Sequence, residues 1–292
     1  MSNIPDARTV PVPDVTLANP RADRVKQVRA LSGRSARSRH GQYLVEGPQG
    51  VREAVRYAAA SVRDVYLTPS AASRYAEIVD DAAAAGLYLH VGTPEVLDAM
   101  SADAQGVLAV VRSGGLTLGE ALAARDPGRT GRPLLVAVLA AVRDPGNAGT
   151  VIRAADAAGA DVVVLAGESV DVHNPKVVRS TAGSLFHLPV VEGVSLAAAL
   201  DELRAAGCHV LAADGAGPLD LDELLDDAGS GGVPDLAGPT AWVFGNEAWG
   251  LPEQDRALAD AVVRVPIRGR AESLNLATAA TVCLYASSRA QR

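Results

Sequence analysis

The sequence predicts an α/β protein of two domains, the second with a mainly parallel, doubly wound sheet. Helical and strand-like segments alternate along most of the 292 residues, as expected when helices connect and cover strands. Residues 134–142 form a continuous apolar run, the pattern of a strand buried on both faces of a parallel sheet. A segment rich in Pro and Gly at 113–131 interrupts the alternation. We therefore place a smaller domain at 21–113, a linker at 114–131 and a second domain at 132–292.

Composition sets limits on the kind of protein. Apolar residues make up 48% of the chain and charged residues 21%, enough for a core and a soluble surface. No apolar run approaches the roughly 20 residues of a membrane span, so no membrane association is expected. The N-terminus lacks a basic head followed by an apolar run, which predicts a cytoplasmic protein. Cys208 and Cys283 lie in apolar segments, as buried thiols do, and the five histidines show no metal-ligand spacing.

The smaller domain is predicted to begin after a disordered tail at 1–20, which holds four prolines. Val25, Val28 and Leu31 have helical spacing, and residues 32–41 are small, polar and basic, which predicts a loop. The remaining elements follow from apolar periodicity and Gly positions. Strands are predicted at 43–45, 62–67, 87–91 and 107–111, and helices at 48–60, 71–85 and 94–100.

Positive charge is concentrated between Arg21 and Arg56, although the whole chain has a net charge of −7. This segment holds nine basic and three acidic residues. Two interpretations are open from the residues alone: a solvated helix face with a loop, or a surface that contacts RNA phosphates. The net negative charge argues only against indiscriminate coating of nucleic acid.

The second domain continues the alternation to the end of the chain. A short helix is also expected near 117–124, inside the linker. Strands are predicted at 134–142, 161–165, 188–191, 208–213, 241–244 and 262–267, and helices at 148–158, 175–186, 196–206, 219–227 and 273–289. Two of these strands run into Gly-bearing loops, at Gly245–Gly250 and at Arg268–Asn275. Because ligands bind beyond the carboxyl ends of strands in α/β sheets, these loops predict a ligand pocket.

Three blocks in the second domain, taken in order, resemble the SpoU family of RNA ribose methyltransferases, part of the SPOUT superfamily. They are Asn147-Ala148-Gly149 with Arg153; Phe244-Gly245-Asn246-Glu247 with Gly250; and Val265-Pro266-Ile267 with Gly269 and Ser273-Leu274-Asn275. The resemblance implies methylation of a ribose 2′-hydroxyl by S-adenosylmethionine. It further implies a deep trefoil knot, in which the chain after about Thr240 passes through an earlier loop, and a homodimer. The smaller domain, with Glu46-Gly47 after its first predicted strand, is similar to the ribosomal-protein-like substrate-binding domain that often precedes it.

The resemblance also implies roles for individual residues. The implied catalytic residues are Asn147, Arg153, Glu247, Ser273 and Asn275. The implied cofactor-binding residues are Ala213, Gly245, Gly250, Val265, Ile267 and Leu274. Phosphate contacts are expected from Arg34, Arg37 and Arg39. A guanidinium is effectively always protonated, so we expect Arg153 to stabilise charge on the 2′-oxygen rather than to remove a proton.

Simpler roles exist for several of these residues, and two other functions compete. Ser273 and Asn275 precede a predicted helix and suit N-capping, and the glycines suit ordinary turns. A nucleotide-dependent enzyme with a Rossmann fold is disfavoured, because neither phosphate-binding glycine motif occurs. A non-catalytic RNA-binding relative remains an alternative. Only 3% of residues are aromatic, which argues against a stacking platform. Ribosomal RNA of the large subunit is the expected substrate, with transfer RNA second.

Overall fold

The structure is a computed structural model that describes residues 14–125, 131–246 and 249–292. These residues form two compact units. The first unit extends to Gly114 and also includes His173–Phe186. The second unit comprises Gly115–Val172 and His187–Arg292. None of the helices in the described part of the chain has both the length and the hydropathy that a bilayer-spanning helix needs.

The first unit contains a mixed five-stranded sheet. Its strands are β1 (Val15–Leu17), β2 (Gln42–Glu46), β3 (Val62–Leu67), β4 (Tyr88–Gly92) and β5 (Val107–Arg112). They lie in the order β1-β4-β3-β5-β2, with β5 antiparallel to both neighbours and the other pairs parallel. Its helices are α1 (Asp23–Ala30), α2 (Arg34–His40), α3 (Pro48–Tyr57), α4 (Pro69–Arg74), α5 (Ala76–Ala84) and α6 (Pro94–Met100), and α9 (Pro175–Ser180) packs with them.

Alternate residues of these strands supply two separate apolar clusters. Tyr43 and Val45 belong to one cluster, whereas Leu44 between them belongs to the other. This alternation follows from the strand period of two, which sends successive side chains to opposite faces. Helices α3 and α5 contribute to the first cluster and α1 and α6 to the second. Both faces of the sheet are therefore covered by helices.

Three predictions for the first unit need correction. Strand β1 lies within the predicted disordered tail and pairs with β4, and residues 1–13 of that tail lie outside the described residues. The predicted loop at 32–41 contains helix α2, which ends at Gly41 with a φ of 58°. Tertiary packing of Ala36 and Arg37 overrides the weak apolar periodicity there. The predicted helix at 71–85 is broken at Tyr75, whose φ of −119° is not helical.

The second unit contains a seven-stranded sheet in which every strand pair is parallel. The strand order is β10-β12-β9-β11-β6-β7-β8. The strands are β6 (Leu135–Ala140), β7 (Val162–Ala166), β8 (Val190–Val194), β9 (His209–Ala213), β10 (Leu219–Asp220), β11 (Thr240–Phe244) and β12 (Ala261–Arg264). Its helices are α7 (Leu118–Ala123), α8 (Pro145–Ala158), α10 (Leu196–Ala205), α11 (Leu221–Asp226), α12 (Glu253–Arg256) and α13 (Leu276–Ala290). The predicted α/β class with a parallel sheet is confirmed.

Helices cover this sheet on both faces. One face contributes Val136, Val138, Val164, Ala241 and Val243 to a core shared with α7 and α10. Trp242 lies between the last two and is fully buried, and its indole Nε1 donates to Ser287 Oγ on α13 at 2.9 Å. Helix α13 also packs against α8, β6 and β11. The long apolar strands are thus buried on both sides, as parallel strands require.

Several boundaries in the second half of the sequence differ from the prediction. Helix α7, predicted inside the linker, begins with a capping box formed by Thr117 and Glu120, and its apolar face joins the core of the second unit. Residues 126–130 of the linker lie outside the described residues. The helix predicted at 175–186 ends at Ser180, because Ala182 and Gly183 both take positive φ. Strand β12 ends at Arg264, two residues before Pro266, which cannot donate to a ladder.

Candidate active site

Three loops that follow neighbouring strands line a single cleft in the second unit. They begin at Ala213 after β9, at Gly245 after β11 and at Val265 after β12. Because β9, β11 and β12 are parallel neighbours, their carboxyl ends lie at the same edge of the sheet. The cleft has a volume of about 1290 Å³. Pockets that hold one drug-sized molecule are usually about 300–1,000 Å³, so this cleft has room for a second group.

The loop after β11 depends on Gly245. A Cβ at this position would lie 2.4 Å from the carbonyl carbon of Gly250 and 2.5 Å from the backbone nitrogen of Leu251. The loop returns so closely because Asn246 and Gly250 exchange two backbone hydrogen bonds, of 3.0 and 2.8 Å. Gly250 has a φ of 66°, a conformation that glycine adopts without steric cost. Two glycines therefore fix this wall of the cleft.

Asn246 ties the same loop to the end of β6. Its side chain is buried, and its amide Nδ2 donates to the carbonyl oxygen of Ala141 at 2.9 Å. Ala141 has a φ of 52°, which is uncommon for a residue with a Cβ, and its own N–H donates to Ala166 at 3.2 Å. These bonds on both sides of Ala141 hold the turn between β6 and α8 in a conformation that would otherwise be disfavoured.

Two arginines fix the loop after β9. Asp214 accepts a hydrogen bond from the N–H of Ala216 at 2.9 Å and lies 3.3 Å from Arg256 Nη1. Arg264, on β12, donates to the carbonyl oxygens of Gly217 and Pro218 at 3.1 and 2.9 Å. A carboxylate is thereby placed in the cleft lining with a cationic partner. Neither Asp214 nor Arg256 was singled out from the sequence, although Asp214 follows a predicted strand end.

The N-termini of the two longest helices of the second unit meet beside the cleft. Asp144 caps α8 and accepts the N–H of Asn147 at 2.7 Å. Asn275 caps α13, and its Oδ1 accepts the N–H groups of Ala277 and Thr278 at 2.9 and 3.3 Å. The Nδ2 of Asn275 also donates to Asn147 Oδ1 at 3.0 Å. Both partial positive helix ends therefore face the same region, which favours an anionic group there.

Comparison with known proteins identifies this arrangement. Residues 134–285 match the SpoU rRNA Methylase family, and this match covers more than half of the chain. The chain belongs to the SpoU methylase family. The resemblance inferred from the three sequence blocks is confirmed. Residues 22–109 match the MRM3-like substrate binding domain, so a domain of this kind precedes the SpoU domain.

Two relatives that are named as 23S rRNA methyltransferases match half or more of the chain. A 23S rRNA (uridine(2479)-2′-O)-methyltransferase of Streptomyces viridochromogenes is 41% identical over 150 residues. That match covers 50% of this chain but only 49% of the relative, so it spans about half the relative's length. A 23S rRNA (guanosine-2′-O-)-methyltransferase, RlmB, of Bordetella pertussis is 31% identical over 252 residues, covering 84% of this chain and 96% of the relative.

Solved SpoU structures share the fold over almost the whole chain. The SpoU methyltransferase AviRb from Streptomyces viridochromogenes, in complex with the cofactor AdoMet, has a TM-score of 0.75 and 32% identity and covers 92% of this chain and 98% of that chain. The AdoMet-bound rRNA methyltransferase from Sinorhizobium meliloti has a TM-score of 0.75 and 27% identity. That match covers 94% of this chain and 97% of the other.

The structure brings most of the catalytic and cofactor-binding residues implied by the resemblance into the cleft lining. Asn147 adjoins this group through Asn275. The implied residues found in the lining are Ala213, Gly245, Gly250, Val265, Ile267, Ser273, Leu274 and Asn275. Ser273 precedes the cap of α13 by two residues and is exposed, so capping belongs to Asn275 alone.

Arg153 and the three arginines of α2 are placed outside this lining. Arg153 is exposed on α8 and is absent from the described residues that line the cleft. Glu247 lies outside the described residues. Arg37 is buried and donates to the carbonyl oxygens of Leu31 and Ser32 at 3.2 and 2.7 Å, which gives it a structural role in place of the expected phosphate contact. Arg34 and Arg39 are exposed on the same helix.

Proposed function

We propose that this protein transfers a methyl group from S-adenosylmethionine to a ribose 2′-hydroxyl of large-subunit ribosomal RNA. The observation that carries the proposal is the single cleft built from three strand-end loops, two of which hold SpoU blocks, beside the contact between Asn147 and Asn275. The first block thus meets the third at the cleft, although 128 residues separate these asparagines. The cleft volume also leaves room for a nucleotide beside a cofactor.

The cleft lining suits S-adenosylmethionine. Added Cβ atoms at Gly215 and Gly269 would meet nothing within 4 Å, so the backbone is open to a ligand there. Val265, Ile267 and Leu274 supply apolar surface for a purine ring, and Ala213 and Gly245 supply backbone polar groups. Gly250, whose N–H and C=O bond to Asn246, shapes the wall beside them. When bound, the cofactor would supply an electrophilic methyl group on its sulfonium sulfur, and loss of that methyl group leaves a neutral thioether.

The chain's own residues must align the 2′-hydroxyl and stabilise the charge that develops on its oxygen. Asn147 and Asn275 hold each other at 3.0 Å, so each amide has a fixed orientation toward a ribose. Arg153 supplies a permanent positive charge that stabilises the developing alkoxide, while the proton passes to a phosphate or to water. We propose that Arg153 acts in the cleft of a second copy of the chain, since it is exposed on α8 and does not line its own described cleft.

Replacing Arg153 tests its role in the reaction. Arg153→Ala should lower single-turnover methyl transfer by roughly 10²–10³-fold, the effect of losing one preorganised donor, with cofactor affinity unchanged. Arg153→Lys is the matched control, because it keeps the charge but loses the forked geometry and should recover part of the rate. A wild-type rate for Arg153→Ala at saturating RNA would remove this residue from the chemistry.

Ribosomal RNA is the proposed substrate because the described relatives modify 23S rRNA and because residues 22–109 match a substrate-binding domain. Exposed Arg34 and Arg39 on α2 add positive charge to that domain. This substrate implies a cytoplasmic location, where ribosomes assemble. Mapping 2′-O-methyl groups in ribosomal and transfer RNA from a deletion strain tests the choice. Loss of a methyl group from transfer RNA alone would refute it.

We also propose the trefoil knot and the homodimer that the family resemblance implies. The placement of β11 between β6 and β9, with all three parallel, supports a chain that returns to the middle of a sheet already begun. Val282 and Tyr285 on α13 are 40% and 46% exposed, which supports a partner on that helix. Light scattering should give the mass of a dimer at micromolar concentration. A monomer with full activity would exclude the shared site proposed for Arg153.

A further inference from the structure

The two tryptophans of the chain have opposite environments. Trp242 is fully buried, whereas Trp249 is 56% exposed and lines the cleft. Indole groups are highly buried on average because their apolar area is large. The chain has few aromatic residues, and one of the largest is left exposed at the cleft. This exposure requires an explanation that core packing does not give.

Trp249 lies beside a closed pair of backbone hydrogen bonds. Asn246 and Gly250 close the loop by two backbone hydrogen bonds, and Trp249 immediately precedes Gly250. The buried side chain of Asn246 anchors the loop to Ala141 at the end of β6. Because Gly250 is held by these bonds, the backbone next to Trp249 loses little further freedom when a ligand binds, so contact with a ligand costs less entropy.

A cation supports one side of the indole. The guanidinium carbon of Arg143 lies 5.7 Å from the centroid of the Trp249 ring, within the range of a cation–π interaction. The Nη2 of Arg143 also donates to Glu168 Oε2 at 3.1 Å, in an exposed ion pair. More than half of the Trp249 surface remains exposed, and the residue lines the cleft.

We infer that Trp249 stacks on a nucleobase of the RNA substrate, next to the ribose that is methylated. This inference rests on the proposed function and adds a residue that holds the target nucleotide. A flat π-face accepts any base, and Arg143 adds positive charge close to the adjoining phosphate. It also revises the expectation from composition, because one well-placed aromatic residue suffices at a site that receives a single nucleotide.

Trp249 is placed to contact an RNA base rather than the adenine of the cofactor. The apolar residues Val265, Ile267 and Leu274 belong to the loop after β12, whereas Trp249 lies on the loop after β11. Its high exposure suits a group that arrives from solvent as part of a polymer better than one enclosed by three loops. Cofactor affinity is therefore measured beside RNA affinity in every variant.

The test uses binding of two short RNA probes to the full-length protein. One probe is oligoadenylate, and the other is an abasic ribose-phosphate oligomer of equal length and charge. Trp249→Leu keeps apolar bulk without a π-face, and Trp249→Phe keeps a smaller flat ring. Trp249→Leu should weaken oligoadenylate binding by about 5- to 150-fold, the range equivalent to one stacked base, and should leave abasic binding unchanged. Trp249→Phe should retain most of the affinity.

Fluorescence gives a second readout. The difference between the emission of wild type and of Trp249→Phe isolates the signal of Trp249, since Trp242 is buried in both proteins. Oligoadenylate should quench this difference signal and the abasic probe should not. Calorimetry with S-adenosylmethionine should give equal cofactor affinities for wild type and Trp249→Leu.

Three outcomes would overturn the inference. They are unchanged oligoadenylate affinity in Trp249→Leu, an equal loss for both probes, and a loss of cofactor affinity that matches the loss for oligoadenylate. The last would place the cofactor adenine on Trp249. These measurements require no methyl transfer, so a failure of the proposed reaction and a failure of base stacking give different results.

Discussion

Replacing Gly245 by alanine tests whether the close return of the loop after β11 builds the cofactor site. The added Cβ would lie 2.4 Å from the carbonyl carbon of Gly250, and ordinary van der Waals contact begins at 3.4 Å. The backbone of Gly250 and Leu251 would have to retreat by about 1 Å. Both obstacles are backbone atoms, so no side-chain rotation can relieve the clash.

The expected cost follows from this geometry. Forcing one carbon into a packed site costs about 1–3 kcal/mol, which corresponds to about a 5- to 150-fold loss if it falls on cofactor affinity. The two hydrogen bonds between Asn246 and Gly250 would also lengthen. If the cost falls on the fold instead, the melting temperature should drop by about 2–12 °C for a domain of this size.

Calorimetry with S-adenosylmethionine measures the loss of cofactor affinity, and thermal unfolding measures the loss of stability. Gly269→Ala and Gly215→Ala are matched controls, because both residues line the cleft and an added Cβ at either meets nothing within 4 Å. These controls should keep their melting temperatures near that of wild type. Wild-type cofactor affinity and wild-type stability in Gly245→Ala would together refute the argument that this glycine is required by close approach.

Two further predictions concern other parts of the molecule. The double variant Arg34→Ala, Arg39→Ala should lower the slope of RNA affinity against salt concentration, by up to about 0.7–0.9 log units per lost phosphate contact. Arg37→Ala should leave that slope unchanged. It should instead lower the melting temperature, because Arg37 bonds to backbone carbonyls. Identical salt dependences of RNA binding in all these variants and in wild type would show that α2 is a solvated helix that contacts no phosphate. Burial raises the pKa of the Cys208 and Cys283 thiols to about 12, so a thiol reagent at pH 8 should label both only after denaturation. Because these folded-state values exceed the unfolded value of about 8.5, the thiols stabilise the fold fully below pH about 8.5, and this contribution is lost as pH rises towards about 12.

The local pattern of the sequence was sufficient to predict the buried strands and to recognise the family. The apolar run at 134–142 contains β6, and the run Trp242–Phe244 lies within β11, because burial on both faces leaves a continuous apolar signal. The three SpoU blocks were also recognisable in the chain, since backbone-dependent positions such as Gly245 admit few residue types. These features depend on neighbours in sequence.

Contacts between distant segments were decided only by the tertiary structure. Helix α2 forms where local periodicity predicted a loop, and it buries Arg37 while exposing Arg34. The bond between Asn147 and Asn275 joins two helix caps that local patterns describe separately. The sequence alone did not indicate a role for Trp249, whereas the structure places it in the cleft lining. Periodicity reports which face of an element is buried, but the partner across that face is set by packing of the whole chain.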